Sequence, residues 1–217
     1  MKPIFTFFSI FLIFIVFSCS NDKENNKKRV IKYNPKPKES SIIDSHYTFN
    51  EAIAGSNAPK EILSQLQLIN VKYYSTDGKI HQGQLLTNTM IAQDLKKMFE
   101  YFLLVRFPIE QVIPIVRFKW DDNLSMQANN SYSFCYRNAS YSKHATGMAI
   151  DINPFFNPVR WKKGYENRID KPIGAVYNPK VPGTFYILHP AILMFRKYGF
   201  RWGHNFTRNY DDHHFEK

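Results

Sequence analysis

Two short runs of metal-ligand residues lie sixty positions apart, and any fold of this chain must bring them together. The first is Ser142-Lys-His144-Ala-Thr-Gly147-Met-Ala149-Ile-Asp151, and the second is Asp211-Asp212-His213-His214-Phe215-Glu216. Between them they offer two imidazoles, a carboxylate able to bind metal and a second carboxylate able to act as a base. Three protein ligands with a fourth position left for water is the minimum arrangement for a zinc hydrolase. The single His144 would mean little alone, since a lone histidine is ordinarily a surface or core residue. The register of Ser142, His144, Gly147, Ala149 and Asp151 is what carries the signal. If His144 sits in the loop leading into a strand that bears Asp151, both side chains can enter one cleft, with His214 on a last strand as third ligand.

The start of the chain reads as an address. Residues 4–17 are apolar apart from Thr6 and Ser9, and Lys2 is the only charge before them. That run is short for a bilayer span of about 20 residues and fits the hydrophobic region of a secretory signal. It ends Val16-Phe17-Ser18-Cys19, which resembles a bacterial lipobox, so residues 1–19 are expected to be a lipoprotein signal with lipid attached at Cys19. Residues 20–46, with seven Lys/Arg, four Asp/Glu and two Pro, cannot bury a core and are expected to form a disordered basic tether. Residues 47–217 have the length of one domain. Their 21 Lys/Arg against 14 Asp/Glu give a basic surface suited to an anionic wall polymer or lipid rather than, for an exported chain, nucleic acid. Cys135 is then the only thiol of the domain, so no intramolecular disulfide staples it; it is expected to be buried and inert, and the protein to be a monomer.

Local patterns predict an α+β domain: a small, mostly antiparallel sheet with helices packed on one side and a zinc cleft. A helix is expected after Pro59, strands at Val71–Ser75 and Lys79–Leu86 around an Asp77-Gly78 turn, and a helix over Thr89–Leu104. Val112–Phe118 reads as a strand and Trp120–Ser142 as a long loop. A strand follows at Met148–Ile152, then a second long loop over Phe155–Phe185. Pro190–Tyr198 reads as a helix closed by Gly199, and His213–Glu216 as a final strand. The two long loops are expected to shape the cleft.

The two motifs resemble those of the VanY-like zinc D-alanyl-D-alanine carboxypeptidase and L-alanyl-D-glutamate endopeptidase family, Ser-x-His-x-x-Gly-x-Ala-x-Asp followed by Asp-x-x-His-Phe, without a substitution. Flanking segments are similar too: Asp121-Asp-Asn-Leu-Ser125-Met126, Phe134-Cys-Tyr-Arg137, Ile152-Asn-Pro154 and Gly199-Phe-Arg-Trp202-Gly203. The likeness extends over roughly residues 60–217. It implies a peptidase acting on peptidoglycan stem peptides, with Zn²⁺ held by His144, Asp151 and His214. It further implies Asp211 as general base for a zinc-activated water and Arg137 as the group that binds the substrate carbonyl and stabilises the oxyanion, with Arg160 and Arg201 as rivals for that place. Ser142 is expected to hydrogen-bond substrate or to brace the loop. Asp212, adjacent to Asp211, is expected to point the other way on a strand, as a solvated or supporting carboxylate, and His213 likewise to face away from the metal. Trp202 reads as core, and His204 as a possible cleft residue. The enzyme is expected in the bacterial cell envelope, tied to membrane by its lipid. The competing reading is a zinc-stabilised, non-catalytic module that binds cell wall or a partner; the presence of Asp211 and Arg137 favours the enzyme.

Overall fold

The computed structural model describes residues 40–139 and 141–217. Residues 1–39 lie outside that description, and with them the signal segment, Cys19 and most of the expected tether. Among the described residues no helix is long and apolar enough to cross a membrane.

The ordered body begins before residue 47. Strand β1 (Ile42–Ile43) pairs parallel with a later strand. Asp44 holds His81 at 2.9 Å and accepts a hydrogen bond from Tyr73. The tether boundary at 46 is therefore corrected towards residue 40; charge and low hydrophobicity concealed a short edge strand whose partners lie far along the chain. Two short helices follow, α1 (Phe49–Ala52), closed at its start by a Thr48/Glu51 capping box, and α2 (Lys60–Leu63). Strands β2 (Leu66–Ser75) and β3 (Ile80–Asn88) then form the longest ladder, nine antiparallel residue pairs. Asp77-Gly78 makes the turn: Gly78 takes φ +81°, and the Asp77 carboxylate accepts from Lys79 N at 2.9 Å.

Helix α3 (Thr89–Leu104) starts where β3 ends, because the Asn88 side chain accepts from Met90 N and caps it. Its buried stripe of Ile91, Leu95, Met98, Phe99 and Phe102 lies on β2. Strands β4 (Pro108–Ile109) and β5 (Gln111–Val112) are brief. The expected strand over 112–118 is replaced after Val112 by a 3₁₀ turn at Ile115–Phe118, since Pro114 removes a ladder donor and ends the extended run. The expected loop 120–142 also holds structure: α4 (Asp122–Gln127), capped by Asp121, and β6 (Asn130–Ser131). Next come β7 (Ala149–Asp151), β8 (Val159–Trp161), α5 (Pro190–Lys197), β9 (Arg201–Trp202), β10 (Asn209–Asp211) and β11 (His214–Glu216). The sheets run β1-β3-β2-β4, β5-β6, β7-β11-β9 and β10-β8. The class is α+β as expected, with several small sheets in place of one, and α5 meets α3 and β9.

Two anchors position the site. Phe215 of β11 is fully buried, stacked on Phe195 of α5 with ring centroids 3.7 Å apart. The segment 155–185 has little regular structure, and buried amides fix it. Asn157 Nδ2 donates to the carbonyls of Asn153 and Gly183 while its Oδ1 accepts from Phe185 N at 2.6 Å.

The first motif is pinned to this frame by Gly147. At φ +69° its carbonyl accepts from Asn88 N at 3.0 Å and Thr87 Oγ1 at 3.1 Å, and an added Cβ would lie 2.8 Å from Asn88 N. Gly147→Ala should therefore destabilise the protein by about 2 kcal/mol or more. Thermal unfolding of the variant is expected to show a melting temperature several degrees lower; an unchanged value would contradict this account.

Candidate metal centre

The register of one antiparallel pair assembles the site. In the β7–β11 ladder Asp151 sits opposite His214 and Ile150 opposite Phe215. Side chains alternate along a strand, so Asp151 and His214 share one face while Ile150 and Phe215 enter the core. His144 arrives from a 3₁₀ turn, Lys143–Thr146, that begins after Ser142 and ends at the left-handed Gly147.

His144 Nε2, Asp151 Oδ1 and His214 Nδ1 form a triangle with sides of 3.1, 3.0 and 3.0 Å. Tetrahedral coordination with bonds of about 2.0–2.1 Å separates ligand atoms by about 3.3 Å, so the triangle is close to the face such a cation needs. The tautomers agree. His144 Nδ1–H donates to Ser133 O at 2.6 Å, which leaves Nε2 as a lone pair. His214 Nε2–H donates to Glu216 Oε2 at 3.0 Å, which leaves Nδ1 as a lone pair. Three buried acceptors thus converge on one point, an arrangement that fits a divalent cation and is unfavourable without one. Without a cation a proton takes that place: burial opposes it, but Asp151 and Glu216 raise the His214 pKa to about 10. Asp151 is held well below the usual carboxylate range, since His144 and His213 outweigh its burial.

The centre opens into a cleft of about 500 Å³ that also admits Arg137, Ser142 and Asp211. Asp211 comes from β10, whose ribbon with β8 walls the cleft through Val159, Trp161, Asn209 and Asp211. Its Oδ1 is buried with no hydrogen-bond partner. Burial raises the Asp211 pKa despite its histidine neighbours. Arg137 is steadied by Asp122 Oδ2 at 3.3 Å and reaches the Tyr132 hydroxyl at 3.5 Å.

One expectation changes. His213 does not face away: residues 212–213 form a turn rather than continuing the strand, so the alternation is lost there. Its Nδ1–H donates to Asn157 O at 2.7 Å, and its Nε2 lies 3.1 Å from Asp211 Oδ1, out of line for a hydrogen bond, and 3.7 Å from Asp151 Oδ2. Asp212 does point away but is fully buried, accepting from Arg160 at 2.6 and 3.0 Å and from His204 at 2.6 Å. That pairing commits Arg160 to Asp212; of the three arginines weighed, Arg137 and Arg201 line the cleft. Trp202 is core, donating to Asp212 O, and His204 stacks on it. Cys135 is buried, and burial together with Asp122 pushes its thiol up to about 11, so it is inert as expected. Glu216 had no role assigned from sequence, although its place two residues after His214 on a strand puts both on one face. Arg201 Nε donates to its Oε1 at 2.9 Å.

Residues 136–217 match a family model described as D-alanyl-D-alanine carboxypeptidase. The match supports the VanY-like family that the two motifs resemble. It is a peptidase family, and the matched stretch carries all three ligands, Asp211 and Arg137. It is shorter than the resemblance over 60–217 and leaves out β2, β3 and α3. No curated protein and no solved structure matches the chain.

Because the metal-free centre holds a proton on His214 that an unfolded chain (pKa about 6.5) would release, stability of the metal-free protein should fall as pH rises from about 6.5 towards 10. Metal uptake at pH 7 should release about one proton. Glu216→Gln should weaken metal affinity about 10–100-fold by loosening the His214 ring. Calorimetric titration in buffers of different ionisation enthalpy reads both effects; no proton release would refute a proton held on His214 in the metal-free centre.

Proposed function

We propose that the protein is a zinc-dependent peptidase that hydrolyses peptidoglycan stem peptides. The observation that carries the reading is the convergence of three lone pairs from His144, Asp151 and His214 beside Asp211, whose buried Oδ1 has no partner. Two imidazoles and one carboxylate in a tetrahedral face suit Zn²⁺ better than the all-oxygen sets of Mg²⁺ or Ca²⁺. When bound, the ion supplies a Lewis acid and water acidified towards pKa ~7.

The chain's own groups do the rest. Asp211 accepts the proton as water adds to the scissile carbonyl carbon, then returns it to the nitrogen as the C–N bond breaks. His213, whose pKa Asp211 and Asp151 raise against its burial, can carry a second proton on Nε2, 3.1 Å from Asp211 Oδ1, and then balances the negative charge of Asp211 before proton transfer. Arg137, fixed by Asp122, presents its guanidinium to the carbonyl oxygen as that oxygen becomes negative. Ser142 stands at the cleft wall, its side chain not used to cap the turn that carries His144, and is available to substrate. Cations at the cleft, including Lys143, Lys171 and Arg201, suit peptides rich in carboxylates.

Purified zinc-loaded protein should release either a terminal D-Ala from stem peptides or an internal fragment from peptidoglycan, both identified by mass spectrometry. Asp211→Asn should lower kcat about 10²–10⁴-fold with metal retained, and Arg137→Lys about 10²–10³-fold. Absence of product from either substrate, with one zinc bound per chain, would favour a non-catalytic binding module instead.

The reading extends to a lipid-anchored enzyme of the cell envelope, supported by the apolar run 4–17 before Cys19. Cys19→Ser should remove the mass of attached lipid and reduce the membrane-bound share of the protein; an unchanged mass would dispose of the anchor.

A further inference from the structure

From Lys171 to Tyr210 the chain runs forty residues without an Asp or Glu, while it carries six Lys/Arg. The same stretch leaves large apolar side chains in solvent, with Leu188 81%, Ile187 63% and Leu193 60% exposed. Scattered surface leucines need no explanation, but Ile187 and Leu188 adjoin one another, and Leu193 follows five residues on. Ile187 and Leu188 stand at a hollow of about 550 Å³ whose other walls include Tyr177, Tyr186 and Tyr210. Tyr186 also borders a second hollow with Val181 and Val105, so the apolar surface continues past it. Helix α5 follows directly, its first residue Pro190 bordering the second hollow. Ala191, Ile192 and Phe195 of that helix face the core, while Leu193, Arg196 and Lys197, three and four residues apart, share the outer face.

This face lies behind the metal cleft. In the β8–β10 ribbon Val159, Trp161, Asn209 and Asp211 line the cleft, and the alternate residues Arg160 and Tyr210 border the hollow on the reverse side. A partner on the hollow would leave the cleft free.

We propose that Tyr186, Ile187, Leu188 and the outer stripe of α5 form a docking face for a bilayer containing anionic lipids. The chemistry selects this occupant. Protruding aliphatic side chains gain by entering hydrocarbon, tyrosines favour the headgroup level, and Lys180, Arg196 and Lys197 meet lipid phosphates. A second copy of the chain would bring the same positive charge to the contact, and an anionic polymer alone would leave Ile187 and Leu188 in water. The inference is independent of the peptidase reading.

The test uses the full chain with Cys19→Ser and Leu188→Cys, labelled at residue 188 with a polarity-sensitive fluorophore; Cys135 is buried and spared. A matched protein carries the label at Met90→Cys, at the far end of α3 from Val105. With phosphatidylcholine vesicles containing phosphatidylglycerol, the label at 188 should shift to the blue and escape an aqueous quencher, while that at 90 stays in water. Adding Arg196→Glu and Lys197→Glu should weaken this response at least about tenfold, and pure phosphatidylcholine should give little. A label at 188 that remains quenchable while the protein floats with vesicles would overturn the proposal, as would equal shifts at both positions. A concentration-dependent shift without lipid would assign the face to a second copy, and a shift on insoluble peptidoglycan alone would assign it to the wall.

Discussion

The site depends on the register of β7 against β11. Opposing Asp151 to His214 places one oxygen and one nitrogen 3.0 Å apart on the cleft face, and the same register drives Ile150 and Phe215 into the core. A slip of one residue would exchange the faces, putting the ligands into the core and the apolar pair into water. Full burial of a Phe or Ile side chain is worth about 1.5–3 kcal/mol, and Phe215 also stacks on Phe195. Hydrophobic packing thus fixes a geometry that the ligands would not choose alone, since three lone pairs aimed at one point repel.

That repulsion explains how the surrounding polar groups are arranged. Each ligand imidazole spends its second nitrogen on a fixed acceptor, Ser133 O for His144 and Glu216 for His214. Glu216 is pulled down to a pKa of about 2, burial being outweighed by His214 and Arg201. It therefore remains a charged acceptor at any working pH and holds the His214 ring in one orientation. Arg201, 69% exposed in its side chain, extends the chain of contacts to solvent. The cost of converging acceptors is met by a cation or, without one, by a proton on His214.

The convergence of His144, Asp151 and His214 was legible because their spacing is set by covalent geometry: seven residues from His144 to Asp151 leave room for one turn, a left-handed glycine and three strand residues. Helix α3 and the β2–β3 hairpin were legible from a 3.6-residue apolar period and an Asp-Gly turn. Two of the errors share a cause, which is that the deciding contact is distant in sequence. Ile42–Ile43 becomes a strand only because His81 and Gln82 lie beside it. The 120–142 segment reads as loop by composition, yet its Asp and Asn residues are caps and buried braces, Asn130 Oδ1 accepting from Ile113 N at 2.9 Å. His213 was misplaced because the last strand was started one residue too early, inside a two-residue turn that leaves no local mark.

Asp211 and Asp212 show how adjacent identical side chains acquire different chemistry. Asp212 has both oxygens occupied, one by the Arg160 guanidinium and the other by His204, in a fully buried place. Its hydrogen bonds tie β8, β9 and the turn between β10 and β11 into one unit. Asp211, one residue earlier and the last of β10, keeps a buried oxygen without a hydrogen-bond partner and a pKa raised by burial. A carboxylate whose lone pairs are all engaged can hold a scaffold but has no place for a proton in transit; one that is desolvated and unengaged has that place. The difference follows from hydrogen-bond supply at the end of β10 and in the turn that follows it. It also makes Asp212 the support that keeps Asp211 at the cleft, since the turn it anchors joins Asp211 to His214.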